Sequence, residues 1–225
     1  MGAPYFQIRD FIAQEGINAF SSNYGLYADV SRRVMQTIQS QVPDIEVYSI
    51  DECWADLEGI PGSLEVFGAA IKAKVQRDVG MPIGIGISTT KTLAKLAQWA
   101  SKTWPATHGV VDLTHKARQE KLLHIAPVGQ VWGIGRKLAE RLIALNIDTA
   151  WKLSQYDHKM LRKLFNVNVE RTARELAGEV CLHMHQAPEL KQEIMKSCMF
   201  GQRVFDLTLL REAAASYTTV AAEKM

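Results

Sequence analysis

Apolar residues recur along the chain with two periods. Val30, Val34 and Ile38 are spaced for one face of a helix and predict helix from Ala28 to Ile38. Pro43 and Asp44 then punctuate a turn. Ile45, Val47 and Leu57 supply the alternation of a half-buried β-hairpin, in which consecutive residues point to opposite faces. Gly59 to Ser63 closes that hairpin, and Leu64, Phe67, Ile71 and Val75 mark a second helix ending before Gly80-Met81-Pro82. Ile83, Ile85 and Ile87 alternate with Gly84 and Gly86, a strand with one face left bare so that another backbone or a ligand can come close. Thr89 or Thr90 can cap the next helix, whose buried stripe is Leu93, Leu96, Ala97 and Ala100. Gly109 to Asp112 reads as a last strand.

Beyond Pro127 the helical period dominates. Leu138, Leu142 and Leu145 predict a helix with an inward apolar face, and Leu161, Leu164, Val169, Leu176 and Ala177 a small helical unit ending near Gly178. Val180 to Glu189 reads as an extended linker. Cys181, His183 and His185 alternate along it without a fourth ligand, which is coincidence rather than a metal strip. Gln192 to Val204 predicts one strand and Leu210 to Met225 an alanine-rich helix. The class is α+β.

Three interruptions of this pattern suggest chemistry. Asp51 and Glu52 break the hairpin where hydrophobes belong. Adjacent strand residues face opposite ways, so both serve one site only at a turn or bulge; with a further carboxylate they suit the oxygen shell of Mg²⁺, and alone they also suit a solvated turn. Lys91, Lys95, Gln98 and Lys102 fall at i, i+4, i+7 and i+11, one polar helix face that could meet a triphosphate or a nucleic-acid backbone, or simply water. Thr90-Lys91-Thr92 is not a P-loop, because Ile85 and Thr90 stand where that motif requires glycine. Finally, Val131-Trp132-Gly133-Ile134-Gly135 before a helix is either a plain turn or a helix-hairpin-helix, whose amides grip one phosphate without reading sequence; Arg136, Lys137 and Arg141 beside it favour the second.

Composition narrows the setting. The 225 residues, 47% of them apolar, suffice for one large or two modest domains. No run approaches the roughly 18 apolar residues of a membrane span, and Met1 to Asp10 lacks a signal-peptide layout, so a cytoplasmic protein is expected. Cys53, Cys181 and Cys198, odd in number and far apart, offer neither a disulfide framework nor a Cys-x-x-Cys zinc site. The net charge is only +2, yet the stretch up to Glu65 is rich in acids and Gly86 to Leu145 rich in cations. That distribution fits metal chemistry beside a phosphate-binding surface, and equally two solvated faces.

Ordered along the chain, Phe20-Ser21-Ser22-Asn23-Tyr24 with Leu26-Tyr27-Ala28-Asp29, Tyr48-Ser49-Ile50-Asp51-Glu52, Thr90 to Ala97, Val131 to Arg136 and Phe200-Gly201-Gln202-Arg203 resemble the UmuC branch of the Y-family translesion DNA polymerases. The resemblance implies a partial polymerase palm lacking its first strand, a helix-hairpin-helix thumb and the start of a little finger. Residues 1–21 would end the fingers, 22–113 form the palm, 114–179 the thumb, 180–190 a linker and 191–225 the incomplete little finger.

It further implies two Mg²⁺ ions, with Asp51 and Glu52 as catalytic metal ligands and Lys102 on the incoming nucleotide's triphosphate. Lys91, Lys95, Gly133, Ile134, Gly135, Arg136 and Lys137 would then serve DNA. Template-primer DNA, deoxynucleoside triphosphates, processed UmuD subunits and a RecA filament would be partners in the SOS response, with nucleoid association on DNA. The first metal-binding aspartate, the steric gate and the clamp-binding tail have no counterpart here. The expectation is therefore a chain truncated at both ends, with Met1 an internal methionine and weak or no activity; the alternative is a non-catalytic DNA-binding or partner-binding module.

Overall fold

The computed structural model describes residues 3–184 and 193–224. The chain divides into two compact units, Met1–Met184 and His185–Met225.

The first unit opens with α1 (Tyr5–Gln14), none of whose residues is buried, and α2 (Tyr24–Gln39). The second helix starts earlier than its apolar period suggests, because Asn23 caps it by accepting the Leu26 amide at 3.0 Å. The hairpin β1 (Ile45–Val47) and β2 (Cys53–Ala55) follows, paired antiparallel with Glu46 opposite Trp54. Next, α3 (Leu64–Val79) begins at a Ser63 cap and stops at Gly80, whose φ of 79° places it in the left-handed region that a glycine adopts without strain. Strand β3 (Ile85–Ile87) pairs in parallel with β4 (Val110–Asp112), and α4 (Lys91–Thr103) is the crossover between them. Thr90, not Thr89, caps α4.

Gly86 leaves room for a backbone, and that backbone is α4; Gly84 leaves room for the Ser101 and Lys102 side chains of the same helix. A Cβ on Gly86 would sit inside the carbonyl of Ala94 and the amide of Gln98. Ile85 and Ile87 lie on the other face, near Gly68 of α3. The strand pair is thus sandwiched between two helices, as parallel pairs require.

Helices α5 (Lys116–Ile125), α6 (Arg136–Ala144), α7 (Ala150–Gln155), α8 (His158–Leu164) and α9 (Val167–Leu176) complete the unit. Their core residues Leu122, Leu142, Leu153, Leu161 and Leu176 pack in one cluster with Leu93 and Leu96 of α4, which therefore joins the strands to the helical half. Each fully buried leucine contributes about 2 kcal/mol. A second cluster, Ile38, Val42, Ile71 and Val75, lies under the hairpin. Leu145 and Leu164, expected inside, are 42% and 38% exposed because each falls at a helix end.

In the second unit, α10 (Leu207–Ala222) is capped by Asp206, which accepts the Thr208 and Leu209 amides. The strand expected over 192–204 does not form among the described residues, which from Glu193 run without regular structure to Asp206. Among the described residues of this unit no second strand is present to pair with it, and a lone strand leaves its main chain unsatisfied. The expectations placed on His185, Glu189, Gln192 and Met225 lie outside the described residues. Cys53, Cys181 and Cys198 are free, and among the described residues no helix is long and apolar enough to cross a membrane.

Candidate functional site

The hairpin and the β3–β4 pair form two separate two-stranded sheets, so β2 and β3 are both edge strands. A groove of about 740 Å³ runs between them. One wall is Cys53 to Glu58, the other Ile83 to Thr90, and Lys91, Ala94, Lys95 and Gln98 of α4 also line it. Asp56 donates its amide to Asp44 and Tyr48 to Glu52, so by alternation Cys53 and Ala55 turn their main-chain groups away from β1. Likewise Ile85 and Ile87 bond toward β4, leaving the main chain of Gly84, Gly86 and Ser88 on the opposite edge. The Ser88 hydroxyl and the Trp54 indole N–H are buried without a hydrogen-bond partner among the described residues. Burial pushes the Cys53 thiol up to about 11.

Asp51 and Glu52 sit in the loop between β1 and β2, where the amides of Tyr48 and Ser49 both donate to the Glu52 carbonyl at 3.0 Å. Both acids line the groove. Asp51 is exposed and accepts the Ser49 hydroxyl at 2.6 Å. Glu52 is engaged: Lys95 Nζ donates to its Oε1 at 2.5 Å. Lys91 donates to Glu46 at 2.6 Å, and the two lysine side chains are only 10% and 19% exposed. Lys91 and Lys95 are therefore not the open cationic row expected for DNA. They are half-buried ion pairs that hold the acidic hairpin onto α4, because a strand paired alongside the helix brings its carboxylates within reach.

Lys102, at the last turn of α4, is exposed; its stem lies along Gly84, within about 3.3 Å of where a Cβ would stand there. Gly133 has φ 85°, a conformation that costs an L side chain. Ile134 is 5% exposed and belongs to the core, so only its main chain can face a ligand. Gly135 starts α6 without a capping side chain, leaving the first-turn amides open beside exposed Lys137 and an Arg136 only loosely paired with Glu140 at 3.8 Å. Arg141 is spent on structure, donating to the Leu164 carbonyl at 2.9 Å and stacking on Phe165.

An aromatic cluster that no local sequence pattern indicates joins these two parts. Tyr48 and Trp54, flanking the acidic loop, meet Trp132, which precedes Gly133, at centroid distances of 5.6 and 5.5 Å in edge-on geometry. Lys91 Nζ lies 5.6 Å from the Trp54 ring. Each aromatic pair adds about 0.5–1.5 kcal/mol beyond its buried area. The signal was present as Trp54 and Trp132, each next to a motif, but nothing local says that they touch.

Among the described residues no three His, Cys, Asp or Glu side chains converge on a metal position. A pair of Mg²⁺ ions demands near-octahedral oxygen shells. One exposed carboxyl and one held by an ammonium do not furnish them.

Comparison with solved structures shows the same fold in Y-family DNA polymerases. The DinB-family error-prone DNA polymerase from Sulfolobus solfataricus superposes with TM-score 0.69 at 18% identity, covering all of this chain and 66% of the other. A Y-family chimera of Dbh and Dpo4 gives 0.77 at 18%, covering 100% and 64%. The impB/mucB/samB family matches residues 1–99. Over its whole length the chain is 46% identical to the ImpB protein of Salmonella typhimurium and 47% identical to UmuC of strain LT2, spanning 54% of each. Over its whole length the chain is similar to these impB/mucB/samB and UmuC proteins, and it spans about half the length of these relatives.

Proposed function

We propose that this chain takes part in template-directed translesion DNA synthesis, in which a primer 3′-hydroxyl is extended. The observation that carries this reading is the packing of the acidic loop against the glycine hairpin through Tyr48, Trp54 and Trp132. A strand held by the α6 amides, Arg136 and Lys137 would have its backbone fixed beside the loop that bears Asp51 and Glu52. In this reading 1–21 end the fingers, 22–113 form the palm, 114–179 the thumb, 180–190 a linker and 191–225 the start of a little finger. The open edges of β2 and β3 support a palm without its central strand.

Asp51 is the carboxyl best placed to act, Glu52 acts only when released from Lys95, and Lys102 is free to meet a triphosphate. When bound, divalent cations supply stabilisation of the entering and leaving oxygens in such chemistry; the described carboxylates fall short of the donor set that two ions need. Processed UmuD, a RecA filament and nucleoid association rest on the resemblance to UmuC.

The Glu52–Lys95 pair favours a second reading, a DNA-binding or partner-binding module without catalysis. Primer extension on an undamaged template with Mg²⁺ and deoxynucleotides separates the two. Extension abolished by Asp51→Ala supports synthesis; no extension by a folded, DNA-binding chain supports the second reading; extension indifferent to Asp51→Ala removes Asp51 from the site.

A further inference from the structure

Glu175, on α9, is fully buried, yet no ion pair within 4.0 Å accompanies it among the described residues. Its carboxyl group instead accepts four hydrogen bonds. Oε2 takes the Thr92 amide at 2.9 Å and the Thr92 hydroxyl at 2.7 Å; Oε1 takes the Cys181 amide at 3.2 Å and the Leu182 amide at 2.9 Å. Its main-chain carbonyl accepts the Thr90 hydroxyl at 2.9 Å, and that hydroxyl in turn caps α4. One residue thus binds the start of α4 and the irregular segment leaving α9. Val180, Leu182, His183 and Met184 of that segment line the same groove as Asp51, Glu52 and Cys53.

We infer that Glu175 is a latch: it fixes residues 180–184 as one wall of the acidic groove and ties that wall to α4, the helix whose Lys95 holds Glu52. It is a positioning residue. Without it the two buried Thr92 donors and the half-buried Cys181 and Leu182 amides would be unsatisfied, so the segment would lift to reach water. The inference rests on the reading above only for what the groove does, and its test involves neither DNA nor synthesis.

Amide hydrogen exchange on the whole chain tests it first. In the native protein the Cys181 and Leu182 amides are expected to be protected to the same degree as Thr92; free exchange at 181 and 182 beside a protected Thr92 overturns the latch. Glu175→Gln, which swaps one acceptor oxygen for a donor, should speed exchange at 181 and 182 about ten-fold or more, while α7 and α8 keep their protection. It should also raise the alkylation rate of Cys53 relative to exposed Cys198 about ten-fold. A folded Glu175→Gln chain with unchanged Cys53 alkylation overturns the wall. If that variant does not fold, the native comparison of 181 and 182 with Thr92 decides by itself.

Discussion

Lys95 Nζ lies 2.5 Å from Glu52 Oε1, and it also donates to Gln98 at 3.1 Å within its own helix. The ammonium thereby holds in place the second acid of the groove and neutralises it. Lys95→Met should leave Glu52 half-buried and unpaired and cost about 1–3 kcal/mol, between the values for exposed and fully buried pairs. Urea denaturation of Lys95→Met, Glu52→Gln and the double variant measures the coupling, and a coupling near zero would sink the assignment. Released from the pair, Glu52 should also raise Mn²⁺ affinity in Lys95→Met, read by calorimetry.

Gly86 is the tightest point of the strand–helix contact. A methyl group there would overlap the backbone of Ala94 and Gln98, which cannot move independently of α4. Gly86→Ala should destabilise by about 3 kcal/mol or more. Gly62→Ala, where no atom lies within 4 Å but φ is 86°, should cost about 1 kcal/mol from backbone strain alone. Thermal melts of the two compare them directly, and equal losses would contradict the packing described.

Trp132 links the glycine hairpin to the acidic loop. Trp132→Ala should lower stability by about 2–3 kcal/mol through lost ring contacts and a partly filled cavity. More tellingly, it should speed hydrogen exchange at Tyr48 and Ser49, whose amides close the loop on Glu52. Faster exchange confined to α6 would mean that the cluster does not support the loop.

The Cys53 thiol stands at about 11 because burial disfavours its charged form, against about 9 unfolded. Below pH 9 it is neutral in both states, and its contribution is fully present. Between pH 9 and 11 the unfolded chain ionises first, so stability falls as pH rises. Cys53→Ala should remove that part of the alkaline slope in denaturation midpoints, whereas an identical slope would place the thiol in a wetter site.

What the sequence disclosed was local. Gly84 and Gly86 announced a close approach, and the helical spacing of Leu93, Leu96 and Ala100 announced a buried stripe, because each signal is set by neighbours within a turn or a strand. Helix α1 left no such trace, since it buries none of its residues. The partners of Lys91 and Lys95 lie 45 and 43 positions away, and Thr92 lies 83 positions from Glu175. A lysine row on a helix looks solvated until a hairpin is laid against it, and a lone glutamate near a helix end carries no mark of being an anchor. The two motifs were readable; their junction through Tyr48, Trp54 and Trp132 was made by the fold.

The most direct test of the account is fluorescence anisotropy of a labelled primer–template duplex titrated with this chain across a range of salt. Binding should weaken as salt rises, with a log–log slope shallower by about 1 for Arg136→Ala or Lys137→Ala and no change for Asp51→Ala. A folded chain that does not bind the duplex, or binds it equally well without both cations, would contradict it.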